Sequence, residues 1–577
     1  MFNRYFQQEI SNLRDLAAEF AKAHPALAPM LEGQSADPDV ERLLEGVAFL
    51  TGLLREKIDD EFPEIIQGLM QLIFPHYLRP IPATTIIAFN PKPNLKQPYT
   101  VPAGVKLASN PIDGTQCIFQ TCYEVEAHPL KLKAAFFDQM PGQPPLITLA
   151  FKLTGMDLSR WTPTRLRLHL AKEYPDAANI FYLLIRCLRS ITLASVEGGS
   201  SCVLEPDQLR PVGFTEEEGM LPYPSHSFPG YRIIQEYFIL PHKYLFIDIN
   251  GFDRWTNRGN GAEFKIIFEF KELPFPPPKI TGDNFVLFAT PAVNVFEHDA
   301  DPISLDHRRN EYRVRPSGQN KAHYQVYSVD KVSGYRQGTV KAREYEPFEM
   351  FQTESRDHPI YHVSFKRSPV GNTIDALLSF TYPDKGETPA PETLSIAITC
   401  TNGELAERLQ VGDISQPTSN SPELLEFKNI RPPTASVLPP LGSTLLWRFL
   451  SLYSLNYLSL ARADNIKALL KLYIFSESRD QTATYTNNRR VEGISAVDVR
   501  REDRLVMGYL MRGQEIVLKA HSDHFASDGD LFIFGSVLEN FFGCYASINS
   551  FTNFRIEEVL KGDIYKWPAR IGDRPLI

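Results

Sequence analysis

Forty-five of the 577 residues are proline, and no other feature constrains this chain as tightly. Proline carries no backbone N–H and blocks helix interiors, so prolines at this density demand many extended segments and turns. From Ile81 onward they punctuate short apolar runs. Pro80, Pro82, Pro91, Pro93, Pro98 and Pro102 bracket TTIIAF (84–89), with KLAS (106–109) just beyond. LITLAFKL (146–153), RLRLHLA (165–171), HYQVYSVD (323–330) and LSIAITC (394–400) alternate with a period of two, as half-buried strands do. Tyr231, Ile233, Tyr237 and Ile239 alternate in the same way and read as one more strand. One helix is expected near Asn179–Leu188, and NRGNG (257–261) is a turn signal. KELPFPPPKI (271–280) marks a boundary or an extended strap, and RPPTASVLPP (431–440) reads as a linker.

The first eighty residues have a different texture. Phe6, Ile10, Leu13, Ala17 and Phe20 are spaced 4, 3, 4 and 3 apart, which keeps them on one stripe of a helix, close to a heptad seam. His24-Pro25 ends that helix. Asp37 is placed as an N-cap with Pro38 at the first helical position. Val40, Leu43, Val47, Leu50 and Leu54 then repeat the 3/4 spacing, and a third short helix is expected from Pro63 to Phe74. After the linker, Leu445, Phe449, Leu452 and Leu455 have helical spacing. LFIFGSVLENFFGCYASINSF (531–551) reads as a strand followed by a helix. The expected fold class is α+β, multidomain: residues 1–80 helical, 81–280 β-rich, 281–435 a second β-rich domain, and 436–577 α+β.

Several function classes lose support. The net charge is −9, whereas a nucleic-acid binder needs a basic face to replace phosphate counterions. The densest basic spot is Arg489-Arg490 with Arg500-Arg501. The six cysteines contain no CxxC pair and read as reduced thiols. No apolar run is long enough to span a membrane, and the N-terminus lacks the apolar core of a signal peptide. No phosphate-binding loop, nucleophile elbow or dinucleotide fingerprint is present. His358 and His362 flank Pro359, His521 and His524 sit in HSDH, and Asp299 and Asp301 bracket a turn. None of these reaches the ligand count or the paired geometry that a metal site or acid–base pair needs. A non-enzymatic protein without a cofactor or metal is expected.

Residues 19–65 (EFAKAHPALAPMLEGQSADPDVERLLEGVAFLTGLLREKIDDEFPEI) resemble the N-terminal signature of the TssF family, also called ImpG or VasA. RPIP (79–82) follows as it does in that family. GF (213–214), LPYP (221–224) and PGYRIIQEYFILPHKYLFIDI (229–249) continue the likeness. TPAVNVF (290–296), DPISLDH (301–307), EYRVRP (311–316) and TNGEL (401–405) come next. LLWRFLSLYSLNYLSL (445–460) and residues 531–552 match its C-terminal signatures. Ile233-Ile234 replaces a common Leu-Leu, and Ala289 stands where Cys precedes Thr-Pro.

The resemblance implies a structural wedge component of a type VI secretion baseplate, similar in architecture to wedge proteins of contractile phage tails. Expected partners are TssG, a second TssF copy, TssK, TssE and the VgrG spike, with neighbouring wedges closing a six-fold ring. That ring would nucleate the tail tube and sheath. The implied place is the cytoplasm, docked at the inner membrane through the membrane complex. The proposed bundle seam is Phe6, Ile10, Leu13, Ala17 and Phe20. The alternatives are a wedge protein of a contractile phage tail and, in another class, a β-rich glycan-processing enzyme.

Overall fold

The computed structural model describes residues 2–572 apart from 25–37, 225–226, 337, 339–341, 349–358, 369–372, 383–389, 442–461, 476–477, 507–508, 547 and 549. The architecture is mixed helix and strand, sheet-rich and multidomain, with a helical N-terminus, as expected. Two units are distinct, one comprising Met1–Phe74 with Leu441–Leu450 and the other Pro75–Pro440 with Ser451–Ile577.

The first unit is built on α1 (Phe2–Ala23) and α2 (Pro38–Ile73). Helix α2 starts on the expected proline; Asp37 itself lies outside the described residues. The third helix expected from Pro63 does not exist as a separate element, because α2 runs unbroken through Pro63 for 36 residues. An internal proline removes one ladder bond and strains the preceding turn. In a helix this long the remaining bonds carry the element through.

Among the described residues the second unit carries, besides a single helical turn at Pro75–Leu78, five longer helices: α3 (Tyr174–Arg186), α4 (Pro229–Ile239), α5 (Ala463–Leu472), α6 (Gln481–Glu492) and α7 (Asp528–Gly543). A six-stranded sheet runs in the order 414–416, 106–109, 118–121, 289–293, 84–91, 425–429. Strand Thr84–Pro91 pairs with Ala289–Val293 on one side and Leu425–Asn429 on the other. Phe285–Leu287 pairs with Leu166–Leu170 in a separate four-stranded sheet. The expected limit between residues 280 and 281 therefore falls inside shared sheets. The second β-rich segment is an insertion, whose eight-stranded sheet is drawn from strands between Phe296 and Thr401. Pairing across such sequence distances leaves no trace in local pattern.

Two segments are helical where a strand was expected: 231–239, and the opening of 531–551, which was expected as a strand followed by a helix. Residues 230–238 form α4, with Pro229 in its first turn and Gly230–Phe238 buried on every side. LFIFGSVLENFF lies wholly in α7, whose residues from Gly529 to Gly543 are all buried. Ser527 caps it, its Oγ accepting from the Asp530 N–H at 3.2 Å. A helix apolar on all faces shows no 3.6-residue stripe, so its sequence resembles a buried strand. Helix α7 crosses between the parallel strands Tyr509–Ala520 and Ser550–Glu558 and packs on α3 and α4. At Gly529 a Cβ would come within 2.2 Å of the Ala178 carbonyl. Only glycine lets α7 approach α3 this closely.

The candidate interface and the cores that support it

The first unit presents an apolar surface that its own two helices leave uncovered. Ala48 on α2 and Ala21 on α1 are buried, and Arg14 bonds Glu41 across the pair at 3.0 Å. Gly52 is buried as well. Small residues four apart on α2 give α1 a flat face to lie on. The proposed seam residues Phe6, Ile10, Leu13 and Ala17 are half-buried, whereas Phe20 is exposed.

The larger open stripe is on α2. Leu43, Val47, Leu50 and Leu54 are exposed by 69%, 39%, 65% and 64%. Their spacing of 4, 3 and 4 is that of a heptad seam. At 100° per residue this stripe lies about 150° around the helix from Ala48 and Gly52. It therefore faces away from the buried side of α2. Leu16 and Phe20 of α1 are exposed as well. Four large aliphatic residues in heptad register on one solvent-facing stripe are what a partner helix covers.

The second unit is held by buried charge. Asp530, at the start of α7, accepts from Arg490 Nε at 3.0 Å, Tyr174 Oη at 2.9 Å, Tyr237 Oη at 3.3 Å and the Ala526 N–H at 3.1 Å. The Arg490 guanidinium lies over the rings of Tyr174 and Tyr237, 5.3 and 5.5 Å from their centroids. It also donates to Asn487 Oδ1 at 2.9 Å. One carboxylate thus ties α3, α4, α6 and α7 together.

A second pair, Glu236 and Lys243, fixes the loop after strand Leu209–Val212. Both side chains are fully buried and in contact. Burial pushes the Lys243 ammonium below its ordinary value, and the Glu236 carboxylate works against that shift. Glu236 Oε1 accepts from the Met220 and Leu221 N–H groups at 2.6 and 2.8 Å. Lys243 Nζ donates to the Gly213 carbonyl at 2.8 Å. Glu218 accepts from the N–H groups of Gly213, Phe214 and Thr215 at 2.6, 3.1 and 3.3 Å. The GF and LPYP signatures are thus held by residues of the loop itself and of the PGYRIIQEYFILPHKY segment. Reading α4 as an alternating strand hid this role.

Candidate chemistry does not assemble. His358 lies outside the described residues, and His362 sits on strand Ile360–Arg367. His524 Nδ1 is 2.9 Å from the Arg489 carbonyl oxygen, and Asp301 pairs with Lys321. The basic spot at 489–501 is not a face, because Arg490 is buried. A cleft of about 660 Å³ contains Asp113, Asp375 and Glu404, which are ion-paired to Arg408, Arg313 and Arg479 respectively. Among the described residues, no group of three His, Cys, Asp or Glu could hold a metal ion. No described helix is long and apolar enough to cross a membrane.

Buried histidines give the second unit a pH signature. His128 and His169 are buried, and burial pushes them down to about 4 and about 3. His242 is also held low, first by burial and then by Arg431, His169 and Arg490. The folded chain binds fewer protons at these sites than the unfolded chain. The stability they contribute is therefore present above pH ~6.5 and lost as pH falls towards 4. At pH 5 the loss is about 2 kcal/mol for His128 and about the same for His169. Urea unfolding midpoints should fall from pH 7 to pH 5, and His169→Phe should flatten the slope.

Comparison with known proteins agrees with this architecture. The family model described as "Type VI secretion system, TssF" matches residues 1–574. The type VI secretion system component TssF1 of Pseudomonas aeruginosa is 28% identical, with 99% of this chain and 98% of that protein covered. A chain in the cryo-electron microscopy structure of the TssK-TssF-TssG baseplate subcomplex superposes with a TM-score of 0.77 at 29% identity. It covers 92% of this chain and 98% of its own length. A chain of the type VI secretion baseplate complex gives a TM-score of 0.61 at 25% identity, with both chains fully covered. The chain belongs to the TssF family, baseplate components of type VI secretion systems.

Proposed function

We propose that this chain is a structural, non-enzymatic wedge subunit that assembles with TssG and TssK. In this reading two copies join one TssG, and the wedge meets TssE and surrounds the VgrG spike. Six wedges close the ring that nucleates tube and sheath, in the cytoplasm at the inner membrane. The observation that carries the reading is the open heptad stripe on α2, in a chain whose family works within a baseplate. The relative of known structure comes from a subcomplex with TssK and TssG, which supports those two partners. The seam is placed on both helices: Leu43, Val47, Leu50 and Leu54 of α2 form its centre. Phe20 flanks it, and Phe6, Ile10, Leu13 and Ala17 hold α1 in position.

Each wedge then acts mechanically. Subunit interfaces hold one baseplate state, and firing exchanges it for another arrangement of the same surfaces. The buried ion pairs tie the helices of the second unit together, so that change is concentrated at interfaces. Co-expression with TssG, followed by capture through a tag on TssG, should retain this chain. Its appearance only in the unbound fraction would refute the reading.

A further inference from the structure

A recess of about 380 Å³ opens beside the start of α3. Its most buried polar lining residue is His169, 1% exposed, which lies directly opposite Phe246 and Val286 of the two neighbouring strands. Neither ring nitrogen reaches a hydrogen-bond partner. The Leu245 backbone lies near the ring, but its carbonyl already accepts from the Leu170 N–H at 2.8 Å. A buried polar side chain in this state calls for a group that the fold itself does not supply. Arg431 lines the same recess and is half-buried. Its Nη1 donates to the Lys172 carbonyl at 3.2 Å, and among the described residues it pairs with no carboxylate. That leaves Nε and Nη2, the edge that grips two oxygens of one anion. Burial pushes the guanidinium below its ordinary value, and Glu173 works against that shift only through space.

The acids around the recess do not complete it. Asp283 is 87% exposed and lies 3.7 Å from Lys172 Nζ, which also donates to Thr281 Oγ1 at 2.5 Å. Glu173 is exposed and sits at the N-cap of α3, yet its side chain makes no capping bond. The first turn of α3 is therefore left uncapped, and a helix N-terminus favours negative charge. Both carboxylates oppose an incoming anion, but from solvent, where charges are screened. Arg431 and His169 act from more buried positions, where electrostatic contacts are stronger. A carboxylate would be spent on the Arg431 edge alone. A phosphate offers a further oxygen to the imidazole N–H. The volume is at the small end of ligand sites, which suits a phosphorylated small molecule better than a macromolecular segment.

We propose that the recess between His169, Lys172 and Arg431 binds the phosphate group of a small soluble ligand, with Arg431 Nε and Nη2 on two of its oxygens and the His169 N–H on a third. Isothermal titration of the full-length chain with inorganic phosphate, at constant ionic strength against chloride, should give a saturable single-site isotherm. Arg431→Gln should weaken binding at least about tenfold. Glu173→Gln changes an exposed side chain, so the fold is not at stake, and it should tighten binding roughly two- to fivefold by removing a like charge. Glycerol 3-phosphate should compete with phosphate, and vesicles containing phosphatidic acid should not retain the chain. Retention on those vesicles that Arg431→Gln abolishes would overturn the soluble source in favour of a lipid headgroup. Acetate binding as tightly as phosphate would overturn the choice of phosphate. The site itself is overturned by the absence of saturable heat, or by an affinity unchanged in Arg431→Gln, which would mean an adventitious ion only. Weaker binding in Glu173→Gln would overturn it as well.

Discussion

Replacing Arg490 with alanine should lower the stability of the second unit by about 3–5 kcal/mol, the cost of leaving a buried charge without its partner. Asp530 is fully buried, and its carboxylate would keep only the Tyr174 and Tyr237 hydroxyls and the Ala526 N–H. Tyr174 and Tyr237 would also lose the cation over their rings. A loss of this size is a large fraction of the net stability of a typical domain, so the variant should be largely insoluble at 37 °C. Asp530→Asn should cost a similar amount, because it leaves the buried Arg490 guanidinium without its counter-charge and turns an NH2 towards Arg490 Nε and the Ala526 N–H, although the amide oxygen still accepts from both tyrosines. Combining Arg490→Ala with Asp530→Asn should cost less than the sum of the two. The residues share one network, and such sites are not additive. Urea unfolding at pH 7 measures all three. Additive losses would mean that Arg490 acts by packing alone.

The second large effect concerns the interface. Leu50→Asp with Leu54→Asp should leave the unfolding midpoint nearly unchanged, since both side chains are already exposed. Binding to TssG should weaken by a factor of 100 or more, on the order of 3 kcal/mol. That corresponds to withdrawing two leucines from a coiled seam and burying two carboxylates in their place. Leu13→Asp makes the contrast. Leu13 is half-buried on the side of α1 that carries buried Ala21, so this change should disturb the helix pair itself. A pull-down paired with circular dichroism separates the two outcomes. Lost binding with intact helicity is expected for the α2 variant, and reduced helicity for the α1 variant.

The residues that were legible from sequence are those whose environment repeats along the chain. The α1 and α2 stripes follow the helix period because one side of each helix meets solvent. The strands at 146–153 and 394–400 alternate because each lies in a sheet with one buried face. Helices α4 and α7 were misread for the opposite reason: both are buried all round, so hydrophobicity carries no direction. The partition of the β-rich body was hidden because Thr84–Pro91 receives both neighbours from residues at least 198 positions later. The heptad on α2 was visible, yet which stripe stays open is decided by packing. Alanine and glycine at 48 and 52 place α1 on the opposite face. Of the two buried ion pairs, Glu236 and Lys243 are seven residues apart in a segment already singled out. Arg490 and Asp530 are 40 residues apart and meet only through the fold.

The most direct test of the account is the mass of the complex formed when this chain is co-expressed with TssG and TssK and purified through TssG. The account predicts one stable species containing two copies of this chain per TssG, with TssK bound and no added cofactor or metal required. Purification of TssG with TssK alone, leaving this chain behind as a free folded protein, would contradict it.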